Sequence, residues 1–160
     1  MKYRAFGRTG VQVSEISLGT WQLGGKWGAP YSEQTAQATM ETAFEQGINF
    51  FDTADGYNGG ESEKSIGRFI KGKQGKVFVA TKCGRQINPH VAAGYTGEAV
   101  VKYTEESLKR LDVDSLDLIQ LHCPPTDVFY KPEVFEALQK LSSRAKSSIS
   151  ASAWNGWRKA

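Results

Sequence analysis

The 160-residue sequence has only two cysteines, Cys83 and Cys123, and no long apolar run. Two cysteines are too few for a disulfide scaffold, so we expect reduced thiols and a cytoplasmic location. No stretch approaches the roughly eighteen consecutive apolar residues that a membrane-spanning helix requires. The amino terminus also lacks the apolar segment of a secretory signal peptide. These absences argue against a secreted or membrane-embedded protein.

Basic residues are in excess only at the carboxyl end of the chain. The whole sequence has 20 lysines and arginines against 17 acids, which gives a net charge of +3. Residues 142–160 contribute four of the basic residues and no acid, so residues 1–141 hold 16 basic and 17 acidic residues. A body with this balance has no basic excess to attract nucleic acid. We therefore expect small-molecule partners, with neither nucleic acid nor a membrane among them.

Strand and helix patterns alternate along residues 1–141. A β-hairpin is predicted first, followed by strands ending near 18, 52, 82 and 122, with helices over 32–46, 61–70, 96–111 and 132–141. This alternation is typical of parallel strands joined by helical crossovers, either in an open doubly wound sheet or in an eight-stranded barrel. The segment Gly19 to Gly24 reads GTWQLG and lacks the G-x-G-x-x-G fingerprint of a doubly wound dinucleotide-binding sheet. The barrel is therefore favoured.

Three of the predicted strands end in an ionisable residue, namely Asp52, Lys82 and His122. The carboxyl ends of parallel strands lie at one rim of the sheet, where barrel active sites are built. Tyr57 follows Asp52 in the loop after its strand. A neighbouring ammonium favours the ionised form of a phenol, and a histidine can orient a carbonyl or relay a proton. This quartet suits carbonyl reduction, in which hydride reaches carbon and a proton reaches oxygen.

Several segments, in order and spacing, resemble the aldo-keto reductase family. They are FGRTGVQVS at 6–14, LGTW at 18–21, DTADGY at 52–57, GESE at 60–63, FVATK at 78–82, ESLKRL at 106–111 and DLIQLH at 117–122. The resemblance covers residues 2–141. Within the family, the sequence resembles the branch that includes bacterial general-stress reductases and potassium-channel β subunits.

The resemblance implies an α/β fold, the amino-terminal half of a (β/α)8 TIM barrel preceded by a β-hairpin. It also implies an oxidoreductase that reduces aldehydes and ketones with NADPH, or less often NADH, and no metal. It makes Tyr57 the proton donor, with Lys82 assisting it, Asp52 pairing with Lys82 and His122 orienting the carbonyl. The residues implied at the cofactor are Thr20, Trp21 and Asp52. Asp55, in the same loop as Tyr57, is expected to be a solvated acid.

The chain offers only four strand–helix units, whereas a complete barrel needs about 250 residues. The family's residues for the adenosine and pyrophosphate lie mostly in the second half, and none can be assigned here. Three hypotheses follow: a truncated reductase, a cofactor-sensing regulatory or binding module, and a non-functional remnant. In any of them, a half barrel with open strand edges is expected to self-associate.

Residues 142–160 differ in composition from everything before them. They contain six serines, four alanines and no acid, without a clear helical or strand period. Codons chosen for residues 144–160 and read two bases out of phase can yield GKIKHIGVSVERVEEG, which resembles the family's fifth strand. We therefore expect 1–141 to be the half barrel and 142–160 to be an aberrant tail translated out of frame, with a genuine divergent tail as the alternative.

The nucleotide sequence around codons 138–160 tests this hypothesis directly. In the shifted frame we expect an open reading frame that continues for roughly a hundred residues or more, since that length completes a barrel. A stop codon in that frame soon after the shift point would contradict the hypothesis.

Overall fold

A computed structural model describes residues 1–7, 9–24 and 30–143 of the chain. Within these residues, two antiparallel strands, β1 (Tyr3–Ala5) and β2 (Gln12–Ser14), precede a four-stranded parallel sheet. The sheet consists of β3 (Leu18–Gly19), β4 (Phe50–Asp52), β5 (Phe78–Cys83) and β6 (Leu118–Leu121). The helices are α1 (Glu33–Glu45), α2 (Glu61–Ile70), α3 (Gly97–Leu111) and α4 (Pro132–Ser143).

The parallel strands lie in the order β3-β4-β5-β6, so each crossover moves one position in the same direction. A doubly wound sheet reverses direction at a switch point, whereas a barrel does not. The described strands therefore follow barrel order. The predicted tail begins at 142, but α4 continues to Ser143, and residues 144–160 lie outside the described residues.

The hairpin packs against the amino end of β4 through the side chain of Asn49. Its Oδ1 accepts a hydrogen bond from the Ser14 amide at 2.7 Å, and its Nδ2 donates to the Gln12 carbonyl at 3.0 Å. Tyr3 donates to the Gly47 carbonyl at 3.0 Å. The hairpin thus closes the end of the sheet opposite to the one where the ionisable residues emerge.

Helices α1 and α3 each begin after a residue whose side chain caps the first turn. Ser32 Oγ accepts from the Thr35 amide at 3.2 Å, and Thr96 Oγ1 accepts from the Ala99 amide at 3.1 Å. Such caps satisfy amide donors that the first helical turn leaves unpaired. In the part of the chain that the structure describes, no helix is long and apolar enough to span a bilayer.

A buried carboxylate, Glu63, joins the sheet to two helices. It lies on α2, is fully buried, and accepts from Thr81 of β5 and from Arg110 of α3, both at 2.5 Å. Removing one partner of a buried ion pair leaves the other charge uncompensated, which is strongly destabilising. Glu63 therefore fixes α2 and α3 relative to the strand that carries Lys82.

Helices α2 and α3 pack closely at Gly67. A Cβ added there would lie 2.5 Å from the carbonyl oxygen of Leu111, which is backbone and cannot rotate away. The interface therefore requires the absence of a side chain.

We expect Gly67→Ala to destabilise the chain by about 1–3 kcal/mol, because this overpacking outweighs the roughly 1 kcal/mol gain in helix propensity. Urea unfolding would measure the change. Gly19→Ala is the matched control, since an added Cβ there meets no described heavy atom within 4 Å. Equal stability of the two variants would contradict this packing argument.

Candidate active site

The alternation of side chains along the strands brings the ionisable residues to one face of the sheet. Phe51, Val79 and Ile119 are buried members of the apolar core, whereas Asp52 and Lys82 alternate with them and point to the opposite face. Asp52 pairs in register with Ala80, and Lys82 with Gln120. His122 follows β6, and its amide donates to the Cys83 carbonyl at 2.8 Å. The three residues therefore rise stepwise along the same face.

Lys82 is held by two acceptors at the end of β4. Its Nζ donates to Asp52 Oδ1 at 2.6 Å and to the Thr53 carbonyl at 2.7 Å. The Lys82 side chain is 17% exposed, and that of Asp52 is 35% exposed. An ammonium has three donors, and among the described residues no acceptor is seen for the third. Lys82 is thus fixed in place with one donor left for another group.

Tyr57 stands over Lys82 and beside His122. Lys82 Nζ lies 5.3 Å from the centroid of the Tyr57 ring, and the centroids of the Tyr57 and His122 rings are 5.8 Å apart in an edge-on arrangement. Tyr57 opens a short turn in which Asn58 and Gly59 have positive φ angles. The structure therefore brings together all four residues that the sequence indicated for the quartet.

A cleft of about 460 Å³ opens at this group. It is lined by Trp21, Gly56, Tyr57, Arg85 and His122. Trp21 is 40% exposed and presents an aromatic surface at the cleft. Sequence reasoning missed Arg85, because an arginine in a loop three residues after Lys82 has no pattern that separates it from an ordinary surface charge.

Thr20 lies behind the cleft and does not line it. Its side chain is fully buried, its Oγ1 donates to the Asp52 carbonyl at 2.9 Å, and Ser62 Oγ donates to it at 2.8 Å. These bonds place Thr20 where it supports the end of β4. The predicted role of Thr20, Trp21 and Asp52 at a cofactor stays a prediction.

His122 is held in its neutral form at physiological pH. Burial, together with the positive charges of Lys82 and Arg85, lowers its pKa to about 4. Its Nδ1 is buried without a hydrogen-bond partner among the described residues. A neutral imidazole has one N–H donor and one acceptor nitrogen. His122 can therefore donate a hydrogen bond to a carbonyl oxygen while it stays neutral.

Asp55 is not the solvated loop acid that the sequence suggested. Its side chain is fully buried, and neither carboxylate oxygen has a well-formed hydrogen bond within the described part of the chain. Burial and the nearby Glu63 carboxylate raise the pKa of Asp55 to about 6, although the amides of Gly84 and Gly56 oppose the change. The expectation was wrong because a short loop folded over the strand ends encloses its own polar residues.

Comparisons with known proteins agree with this geometry. The Aldo/keto reductase family model matches residues 15–154. The aldo-keto reductase YhdN of Bacillus subtilis is 39% identical over 127 residues, which cover 78% of this chain and 38% of that protein. The NADH-specific methylglyoxal reductase of Escherichia coli is 31% identical over 166 residues, which cover 91% of this chain and 50% of that protein.

Solved structures extend the likeness to the fold. An aldo-keto reductase from Bacillus halodurans in its holo form superposes with a TM-score of 0.81 at 30% identity, covering 94% of this chain and 49% of that one. An aldo/keto reductase from Klebsiella pneumoniae in complex with NADP and acetate superposes with a TM-score of 0.73 at 27% identity, covering 91% of this chain and 47% of that one.

The chain belongs to the aldo/keto reductase family. It spans half or less of the length of the relatives named above. The expected fold is confirmed: the described residues form part of a (β/α)8 barrel, with the hairpin in front of four parallel strands.

Asp55 and His122 are expected to affect stability in opposite directions between about pH 4 and pH 6. The folded state keeps Asp55 protonated up to a pKa of about 6, so this contribution to stability is lost as the pH rises through that value. The folded state resists protonation of His122 down to a pKa of about 4, whereas an unfolded histidine titrates near 6.5. That contribution is present at neutral pH and is lost as the pH falls.

We therefore expect the free energy of unfolding of Asp55→Asn, relative to wild type, to increase from pH 4 to pH 7. The corresponding difference for His122→Gln should decrease over the same range. Urea unfolding across the pH range measures both. Wild-type and variant profiles that run parallel would contradict the two assignments.

Proposed function

We propose that this chain carries the proton-transfer half of an NAD(P)H-dependent oxidoreductase that reduces aldehydes and ketones to alcohols. The observation that carries the proposal is Lys82, held between Asp52 and the Thr53 carbonyl beneath the Tyr57 ring. An ion pair buried only for stability needs no tyrosine and histidine on its open side. The arrangement leaves one phenol and one neutral imidazole lining a common cleft, with the Lys82 ammonium beside the phenol ring.

Each residue has a distinct part in delivering the proton. Tyr57 donates its phenolic proton to the carbonyl oxygen as general acid. Lys82 stabilises the negative charge left on the phenol oxygen, and Asp52 keeps the ammonium charged and placed. His122, neutral at pH 7, donates a hydrogen bond that orients the carbonyl. Burial of the site strengthens these interactions, because the local dielectric constant is lower than that of water.

The residues at the cleft fit the nicotinamide end of a dinucleotide. The exposed face of Trp21 offers a stacking surface beside Tyr57, and Thr20 donates a hydrogen bond to the Asp52 carbonyl behind the cleft. When bound, the nicotinamide supplies the hydride. We propose NADPH as the cofactor and keep NADH as possible, since a Klebsiella pneumoniae relative is solved with NADP and an Escherichia coli relative is named NADH-specific.

The expected partners are small carbonyl compounds, and the expected location is the cytoplasm. Cys83 and Cys123 are both free thiols, which agrees with a reducing compartment. Self-association through the open edges of β3 and β6 stays a prediction.

The test is carbonyl reduction by the Tyr57→Phe variant. We expect a loss of about a hundredfold or more, because general acid catalysis supplies about that much rate. NADPH consumption with a panel of aldehydes and ketones would be followed in the 160-residue chain and in a barrel completed with the carboxyl-terminal half of the Bacillus subtilis relative. Tyr130→Phe is the matched control, since it removes the same hydroxyl from an exposed side chain.

Lys82→Met should cause a similar loss, and the double variant should be little worse than either single one. The two residues serve one proton transfer, so their effects are not additive. If Tyr57→Phe keeps more than about a third of wild-type turnover, where acid catalysis predicts about a hundredfold loss, the acid role is wrong. The regulatory-module hypothesis would then take precedence.

A further inference from the structure

Arg85 places an uncompensated positive charge on the wall of the cleft. It lies two residues beyond the end of β5, is exposed, and lines the same cleft as Tyr57 and His122. Lys82, the other cation of the site, is already paired with Asp52. Among the residues that the structure describes, no acid lies within ion-pair distance of the Arg85 guanidinium. The proton-transfer groups of the cleft thus share it with one unpaired cation.

A chain of hydrogen bonds holds this arginine in place. Arg85 Nη1 contacts His90 Nδ1 at 3.1 Å, His90 Nε2 contacts the Tyr95 hydroxyl at 2.9 Å, and Tyr95 donates to the His122 carbonyl at 3.3 Å. Arginine can only donate, so Nδ1 of His90 must accept and its Nε2 must carry the proton. Every bond then runs in one direction, from Arg85 to the main chain of His122.

Tyr95, which links this series of hydrogen bonds to the main chain of His122, is tightly packed. The Tyr95 side chain is fully buried, and it packs so closely under Gly84 that a Cβ there would lie 2.5 Å from the ring. Lys131 donates to the Tyr95 carbonyl at 2.7 Å and to the Ala92 carbonyl at 3.1 Å. The loop that carries Arg85 is thereby fixed to the rest of the sheet edge. A surface arginine without a role would not need such a support.

We propose that Arg85 binds an oxyanion of the carbonyl substrate, so that this site prefers carbonyl compounds bearing a carboxylate or phosphate. The guanidinium presents its donors in a planar fork that matches a carboxylate or phosphate. Arg85 stands beside Tyr57 and His122, the residues assigned to the carbonyl, so the anion belongs to the molecule that presents that carbonyl. The inference rests on the proposed function for the identity of the ligand as a carbonyl compound.

Binding of two matched ketones tests the inference without any hydride transfer. Levulinate and methyl propyl ketone share the methyl ketone and differ in a terminal carboxylate. Both would be titrated into the isotope-labelled 160-residue chain, with the Trp21 indole and Tyr57 ring signals followed by NMR. We expect levulinate to bind more tightly, and Arg85→Gln to weaken levulinate by about tenfold or more while changing the neutral ketone less than about twofold.

Three further variants sharpen the result. Arg85→Lys keeps the charge but loses the fork, so levulinate should bind with intermediate affinity. His90→Ala should weaken levulinate selectively, because His90 acts as a positioning residue for Arg85. Arg4→Gln removes the same charge from the hairpin at the other end of the sheet and should change neither ligand.

Equal weakening of both ketones in Arg85→Gln, unchanged levulinate binding, or an equal effect of Arg4→Gln would each overturn the inference. So would failure of levulinate to bind the wild-type chain. A loss of NADPH affinity in Arg85→Gln as large as the loss of levulinate affinity would assign the anion site to the cofactor and overturn it too. Failure of the proposed function would instead appear as turnover that does not depend on Tyr57.

Discussion

The period-two alternation of parallel strands is the constraint on which the rest of this structure depends. A residue on a strand faces either the helices or the opposite side, and a shift of one position exchanges the two. Phe51 and Ile119 pack into the apolar core. Because side chains alternate between the two faces, Asp52 and Lys82 lie on the other face. The Asp52–Lys82 ion pair follows from this register, because the two side chains emerge from neighbouring strands at staggered levels. The burial of Phe51 and Ile119 thus determines the face of the sheet on which the ionisable residues lie.

The ends of the elements and the quartet could be predicted from sequence because each leaves a local signal. Helix α2 has the predicted bounds, Glu61–Ile70, and helices α1 and α3 begin within one residue of their predicted starts. Asp52, Lys82 and His122 each follow a run of apolar strand residues, so their common location needed only parallel topology. Strand β4 begins at Phe50, directly after Asn49, whose side chain bonds to the hairpin.

The remaining site features depend on the path of loops, which a strand pattern does not encode. Asp55 is one of several polar residues in its loop, and nothing in the sequence distinguishes it from them. It is buried only because the loop folds against Gly84. Arg85 looks like any exposed cation until His90 and Tyr95 are seen to hold it. Thr20 lies next to Trp21 in sequence, yet one residue is buried and the other is exposed. Adjacent residues in the sequence can therefore differ completely in their exposure to the cleft.

The buried carboxylate of Glu63 makes the stability of the fold depend on residues that are far apart in the sequence. Its carboxylate accepts from Thr81 and Arg110, which come from a strand and a helix on either side of it in space. Neither Glu63 nor Arg110 lines the cleft, so their loss would appear as lowered abundance of folded protein and not as altered chemistry. Either one replaced alone strands a charge, whereas both replaced by apolar residues of similar volume can restore a stable interior. Sequence change at these two positions is therefore expected to occur in pairs, with each substitution tolerated only in the background of the other.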